Sequence, residues 1–358
     1  MMVGINMQKT VQIGRYKVGK GEPPFVIAEM SGNHNQSLER ALLIVEEVAK
    51  AGAHALKLQT YTADTMTLNL NSDDFTIRDK NSLWDGESLY DLYDKAHTPW
   101  KWHKEIFAKA NSLGLVAFSS PFDTTAVDFL EKINVPCYKI ASFEMVDLPL
   151  IKYVAQTGKP IIMSTGMGSA EEIQEAIDAA KEGGCEALVL LHCVSGYPAP
   201  TEDYNLSTLQ DMQARFSLPV GLSDHTISNI TAITSVALGA CAVEKHVTLD
   251  REGGGVDDSF SLEPIELKSL CLDLKEAWGA IGHASYIKKA SEINNAKFRR
   301  SLYAVRNIDA GELITKENVK SIRPGFGLPV KDYEKIIGQK AKVNISKGTA
   351  LEYKFLGE

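Results

Sequence analysis

From residue 25 onward, short apolar runs rich in β-formers alternate with longer segments whose apolar residues recur every three or four positions. The runs are FVIAEM (25–30), ALKLQTY (55–61), LVAFSS (115–120) and CYKIAS (137–142), then PIIMST (160–165), ALVLLHCV (187–194), VGLSDH (220–225) and AVEKHV (242–247). Helix-period segments such as LERALLIVEEVAKAG, TAVDFLEKIN and AEEIQEAIDAAKEGG separate them, and PIELKSLCLDLKEAWGAIG follows the last. Strands alternating with helices predict parallel pairing through right-handed crossovers. Eight such units in roughly 260 residues have the count and size of a closed (βα)8 TIM barrel. A doubly wound open sheet is the alternative. The turn after the first strand, MSGNHNQS, lacks the glycine-rich loop that such a sheet would more often show. A hairpin, TVQIGRYKVG, precedes the first strand.

Near residue 284 the pattern changes. IKKASEINNAKFRRS is polar and basic and reads as a linker, after which short β-like runs are broken by the turns DAGE and SKGT. We expect the barrel and hairpin in residues 1–285 and a small, β-rich second domain in 286–358. A domain of that size gains stability by packing against something else.

Composition narrows the function classes. The 358 residues are 44% hydrophobic and 23% charged, which suits an ordinary globular protein with a core built without disulfides. The net charge of −8 argues against nucleic acid and anionic membrane surfaces as partners. An anionic substrate would need locally placed cations. No apolar run has the length of a membrane span, MMVGINMQKT lacks the core of a signal peptide, and the five cysteines are scattered without a CxxC. Together these lead us to expect a cytoplasmic protein with reduced thiols.

A barrel gives its strand ends a meaning, because active sites lie at the C-terminal rim. Alternate strand residues face the axis. In VGLSDHT that parity joins Gly221, Ser223 and His225; in AVEKHVT it joins Ala242, Glu244 and His246. One such histidine is ordinarily a hydrogen-bonded rim residue, whereas two in parallel placement point to a shared ion. With nitrogen and oxygen donors at the rim and no cysteine partner, Mn²⁺ or Mg²⁺ is favoured over structural zinc. Glu29 ends the first strand, and Lys57 faces inward with Ala55 and Gln59. Lys139 is followed by Ser142 and Glu144, although Ser142 has the opposite parity and reaches the site only if the strand end bends. Ser120, Ser164, Ser195 and Ser223 add hydroxyls at other strand ends. Two strand lysines among hydroxyls form a cradle for a phosphate or carboxylate. Lys245 falls on the outward face and receives no role.

The segments IAEMSGNHNQS, ALKLQT, YKIASFE, STGM, LLHC, LSDHT and VEKH, in this order and spacing, resemble the sialic acid synthase family. The resemblance covers essentially the whole chain. It implies a (βα)8 barrel with a C-terminal antifreeze-like (SAF) domain, which GELITKENVKSIRPGFG resembles. It also implies condensation of phosphoenolpyruvate with an N-acetylated amino sugar. His225 and His246 would bind Mn²⁺, with Mg²⁺ or Co²⁺ as alternatives. Lys57, Lys139, Ser142, Ser164 and Ser223, with Ser120, would hold phosphoenolpyruvate. Glu29 would orient or deprotonate reacting groups; Tyr197 and Asp257 would contact the sugar, and Glu144 would be a further substrate-binding residue. Ser195 stands where neuraminate synthases carry asparagine, which leaves its role open. Phe298 and Arg323 match an aromatic and an arginine at the sugar site, the arginine acting across a domain-swapped homodimer. Two stretches, LWDGESLYDLYDKAHTPWKW and GGGVDDSFSLEP, resemble the pseudaminic acid branch of the family. Trp84, Tyr90, Tyr93 and Trp100 in the first would offer an aromatic surface to a less hydroxylated sugar, or else form the core of their own loop.

Two rival readings remain. A Schiff-base aldolase would use Lys57 or Lys139 as a nucleophile. A non-enzymatic ice- or sugar-binding module would rest on the C-terminal domain alone, but no flat threonine-rich repeat is present.

Overall fold

All eight apolar runs are strands, and they close into a barrel. The computed structural model describes residues 7–80 and 83–357. β1 (Thr10–Ile13) and β2 (Tyr16–Gly19) form the antiparallel hairpin. The barrel strands are β3 (Phe25–Glu29), β4 (Ala55–Thr60), β5 (Val116–Pro121), β6 (Tyr138–Ile140), β7 (Ile161–Ser164), β8 (Leu188–Cys193), β9 (Val220–Ser223) and β10 (Ala242–His246). They pair in parallel in chain order, and β10 closes on β3. The surrounding helices are α1 (Leu38–Ala51), α2 (Ala63–Met66), α3 (Leu89–Ala96), α4 (Trp100–Ser112) and α5 (Thr124–Lys132). They continue with α6 (Leu148–Ala155), α7 (Ala170–Glu182), α8 (Thr208–Phe216), α9 (Ile230–Ala237) and α10 (Pro264–Ile281). The first two short helices after α1, α2 and α3, sit in the long second βα loop.

Local chemistry sets these helices. In α7, Ser169 accepts from the Glu172 amide at 3.2 Å while Glu172 accepts from the Ser169 amide at 2.8 Å, a reciprocal capping box. Its buried face, Ile173, Ala176, Ile177 and Ala180, has the three-and-four spacing of an amphipathic helix. Outward strand residues such as Leu56, Leu58, Ile140 and Met163 join the same core. Each such side chain contributes about 1.5–3 kcal/mol on full burial.

Two layers inside the barrel position the site. The lower interior is apolar, with Phe25, Ile27, Phe118, Ile162 and Leu191 packed together with Val11, Ile13 and Val18 of the hairpin. The hairpin turn presses close: a Cβ on Gly14, whose φ is +55°, would stand 2.8 Å from Val116 Cγ2. Above that dry floor the inward residues become Glu29, Lys57, Lys139, Ser164, Ser223 and Glu244, all buried. The polar rim is therefore closed off from solvent at the opposite end.

The chain divides after Gly282, and His283–Glu358 forms a second unit. There β11 (Ser301–Ala304) pairs antiparallel with β12 (Val319–Ile322), and β13 (Lys340–Ala341) pairs with β14 (Leu356–Gly357). Leu302, Ile308, Ile314, Val319 and Leu351 make its own core. The five cysteines are free thiols, four of them buried. Among the described residues no helix is long and apolar enough to cross a membrane.

Candidate active site

Three neighbouring strands build the charged centre. Lys57 of β4 lies between Glu29 of β3 and Glu244 of β10, with Nζ 2.8 Å from Glu29 Oε2 and 3.0 Å from Glu244 Oε1. Gln59 donates to Glu29 Oε1 at 2.8 Å, and Ser223 donates to Glu244 Oε1 at 3.1 Å. Lys139 of β6 donates to Ser164 Oγ at 2.6 Å and to its neighbour carbonyl of Ile140 at 2.9 Å, and stands 3.8 Å from Glu244. All four charged side chains are buried.

That geometry sets their protonation. Burial opposes ionisation of Glu29, but the Lys57 ammonium, His246 and the Gln59 amide overcome it and hold its carboxyl well below the usual range. Burial likewise opposes charge on Lys57, and the two carboxylates outweigh it and raise its pKa. Lys139 has no carboxylate in direct contact. Burial, only partly offset by Glu244 and reinforced by Lys57, lowers it to about 8. Glu144 is pushed up to about 7 by burial, and burial also raises Asp257.

His246 ends β10, but β9 stops at Ser223, so His225 lies two residues beyond its strand rather than at its end. The two rings nevertheless meet, with centroids 5.4 Å apart. His225 Nδ1 lies 2.8 Å from the Val194 carbonyl, which can only accept, so Nδ1 carries the proton and Nε2 keeps its lone pair. Burial and His246 lower its pKa to about 3, so the ring is neutral. His246 Nε2 is 3.3 Å from Glu29 and Nδ1 is 3.7 Å from Asp257, which accepts from Ser31.

Ser142 resolves its parity problem by a turn. β6 ends at Ile140, and Ser142 adopts helical φ and ψ of −60° and −40° at the start of the 3-10 turn Phe143–Val146. Its Oγ accepts from the Gly166 amide at 3.2 Å. A Cβ on Gly166 would stand 2.8 Å from Ser142 Oγ and collide with Ser195 Oγ, so only glycine leaves this corner open. Among the described residues, the buried side-chain polar atoms without a hydrogen-bond partner are Ser120 Oγ, Ser195 Oγ, Glu144 Oε2, Glu244 Oε2 and His246 Nδ1. Every one belongs to this rim. Unpaired buried polar atoms each cost about 1–3 kcal/mol, so their gathering here marks a pocket shaped for a polar ligand.

The pocket has a cavity volume of about 390 Å³. Glu29, Lys57, Lys139, Ser142, Glu144, Ser164, Tyr197, Ser223, His225, His246 and Asp257 all line it. Ser120 and Ser195 are not among the lining residues; Ser120 is buried and Ser195 half-buried. Phe298 and Arg323 belong to the second unit, where both are exposed. Of the four loop aromatics, Trp84 and Tyr93 line the pocket. Trp100 instead donates to the Tyr61 carbonyl and packs on Phe129, and Tyr90 donates to Asp64. With Met66, Ile77 and Phe122, the pocket aromatics add an apolar wall to the same lining as the two lysines. Glu244 and Gln59 received no role from sequence, although strand parity had already placed both inward. Ser31, Tyr61, Phe122 and Cys193 were missed. Cys193 shares the inward parity of β8, and Tyr61 and Phe122, each one residue beyond its strand, continue the inward parity of Lys57 and Gln59 and of Phe118 and Ser120, a signal within the sequence.

Residues 44–286 match the NeuB family, and residues 299–356 match the SAF domain. The chain belongs to the NeuB family. Pseudaminic acid synthase of Campylobacter jejuni is 41% identical over 342 residues, 96% of this chain and 98% of that protein. The pseudaminic acid synthase of Helicobacter pylori is 41% identical over 331 residues, 92% of this chain and 97% of that one. The crystal structure of N-acetylneuraminic acid (sialic acid) synthetase from Leptospira borgpetersenii, with citrate, superposes with a TM-score of 0.71 at 31% identity, covering 81% of this chain and 96% of that one. In this NeuB-family chain Lys57 through Asp257 lie within the family segment, Glu29 lies before it, and Arg323 lies within the SAF segment.

A metal can be tested against the residues present. Among the described residues no three His, Cys, Asp or Glu side chains are already gathered as a metal site. The histidine pair fits a two-ligand site completed by other oxygens: His225 offers Nε2, and His246 Nδ1 is buried without a hydrogen bond. With Glu29 and Asp257 beside His246, the two imidazoles belong to a nitrogen and oxygen donor set.

Lys139 gives the pocket a measurable pH dependence. Its ammonium is present below about pH 8 and lost above it, so affinity for inorganic phosphate should fall by about tenfold per pH unit beyond that point. Calorimetric titrations from pH 7 to 10 check this. An affinity that stays flat to pH 10 would exclude Lys139 as the anion's partner.

Proposed function

We propose that the chain is a pseudaminic acid synthase. It would condense phosphoenolpyruvate with 2,4-diacetamido-2,4,6-trideoxy-L-altrose and release phosphate by C–O cleavage. One observation carries this reading: a single pocket is lined both by two buried lysines with serine hydroxyls and by an apolar, largely aromatic group. The first half suits a small, multiply charged anion. The second suits a sugar with a methyl in place of the terminal hydroxymethyl.

In this scheme Lys57 and Lys139 offset the carboxylate and phosphate charges, and Ser142, Ser164, Ser223 and Ser120 donate to the oxygens. A divalent ion, Mn²⁺ in preference to Mg²⁺ or Co²⁺, would be held by His225 and His246 and would supply Lewis-acid polarisation of the sugar aldehyde. The C2–C3 π electrons of phosphoenolpyruvate form the bond to sugar C1 as its carbonyl π bond breaks, and the aldehyde oxygen takes up a proton to become a hydroxyl. Water adds at the cationic C2 and gives up a proton. The resulting C2 hydroxyl loses its own proton to form the ketone as the C–O bond breaks and phosphate leaves. Glu29 accepts the proton of that water. Its low pKa is set by Lys57, so an anion that draws Lys57 away makes Glu29 a stronger base at the moment it is needed. Glu144, with one oxygen unpaired and a pKa of about 7, can accept from or donate to an acetamido group. Tyr197 and Asp257 flank the sugar, and Ser195 is an additional hydroxyl at the anion corner.

The test is phosphate release from phosphoenolpyruvate with three sugars: the altrose-configured precursor, its 2,4-diacetamido-trideoxymannose isomer and N-acetylmannosamine. The altrose-configured sugar should be preferred in kcat/KM by at least about tenfold, chelator should abolish turnover and Mn²⁺ should restore it. Preference for N-acetylmannosamine would return the chain to neuraminate synthesis, and preference for the mannose isomer to legionaminate synthesis. Phosphate-free reaction through a borohydride-trapped lysine would support an aldolase instead.

The quaternary proposal is a domain-swapped homodimer in which Arg323 of the partner subunit completes each pocket, with Phe298 beside it. It rests on the family resemblance of KFRRS and SIRPGFG. Heterodimers of Glu29→Gln and Arg323→Ala chains should then contain one intact site and regain activity after subunit exchange. Confirmed exchange without recovery would rule the swap out.

A further inference from the structure

We propose that Lys245, on the face of β10 away from the pocket, is the positioning residue for His225. It clamps the irregular loop that carries that histidine. The proposal rests on the reading of His225 and His246 as ligands of one ion. It begins from strand parity: because His246 points into the barrel, Lys245 beside it must point outward, into the apolar layer under the helices. A lysine there is costly unless fully satisfied. It is fully satisfied. With 2% of its surface exposed, it donates to Asp224 Oδ2 at 2.9 Å, to the Ser228 carbonyl at 3.1 Å and to the Thr226 carbonyl. An ammonium has three protons, and these acceptors use all of them.

All three acceptors lie in one short loop, on either side of His225. Asp224 reinforces the clamp, since its Oδ1 accepts from the Thr226 amide at 2.9 Å and its own amide donates to the Glu244 carbonyl at 2.9 Å. From the chain that follows β8, the strand on the other side of β9, Tyr204 Oη accepts from the His225 amide at 2.6 Å and the Val194 carbonyl accepts from Nδ1 at 2.8 Å. The loop is thus gripped from both of its neighbouring strands, and the ring has one orientation. A buried ion pair adds little net stability over an apolar pair of similar volume, so geometry is what this one supplies. Consecutive residues of β10 then fix both imidazoles. His246 is placed directly by the strand, and His225 is placed through Lys245.

The experiment uses the full chain carrying Lys245→Met together with Asp224→Asn, which removes both charges and leaves neither unpaired. Nitrogen-15 histidine-ring spectra of the metal-free protein, assigned with His225→Ala, should show a single Nδ1–H tautomer for wild-type His225 and an exchanging mixture in the double variant. Mn²⁺ titration followed by electron paramagnetic resonance should show a dissociation constant raised about 10- to 100-fold. Thermal melting should show the variant folded. Asp224→Asn alone, which keeps both carbonyl acceptors, should move both readouts in the same direction by less, and decides the matter if the double variant does not fold. Unchanged His225 spectra and Mn²⁺ affinity within twofold of wild type, in either folded variant, would overturn the clamp. A wild type that binds no Mn²⁺ would remove the metal reading, while the ring spectra would still decide the clamp.

Discussion

The site depends on a buried ammonium held between two buried carboxylates. Lys57 touches Glu29 and Glu244 across three adjacent strands, and none of these charges would tolerate this depth alone. The trio settles the rest of the rim. It keeps Glu29 ionised, and it leaves Lys139 as the cation whose nearest carboxylate is 3.8 Å away. Because the hairpin and the aromatic floor exclude water from below, these interactions act in a medium where charges are felt strongly. An anion entering this pocket exchanges one set of partners for another and leaves no charge bare.

Above the trio the pocket splits in character. Lys57, Lys139, Ser142, Ser164 and Ser223 form the polar part of its lining, and Trp84, Tyr93, Met66, Ile77 and Phe122 the apolar part. The second βα loop supplies most of that wall, including both short helices α2 and α3. Such a division sorts ligands by which end is charged. It also explains why the barrel carries its longest loop here, where an apolar cover is wanted over a polar floor.

Much of this was readable in the residues. Short apolar runs rich in β-formers gave all eight barrel strands, and the period-two pleat gave the inward set of Glu29, Lys57, Lys139, Ser164, Ser223 and His246. Parity failed at Ser142, which reaches the pocket through a 3-10 turn. It placed His225 inward correctly, but the loop hydrogen bonds that hold that ring are encoded in no periodicity. Glu244 was placed inward but given no task, since the need for a partner to Lys57 appears only when three strands are side by side. The aromatic loop divided in two. Trp84 and Tyr93 face the pocket while Tyr90 and Trp100 pair within the loop and its surroundings, a choice that depends on tertiary packing. Lys245 looked idle because its partners lie on the preceding strand's loop, about twenty residues earlier.

The unpaired atoms of the rim are the sharpest feature of the molecule, and one structure would examine them together. A crystal structure with phosphoenolpyruvate and Mn²⁺ should place the anion against Lys57 and Lys139, with the Ser120 and Ser195 hydroxyls now hydrogen-bonded and the two histidines turned to the ion. A ligand bound elsewhere, or seated in the pocket with those hydroxyls still unpaired, would contradict the account.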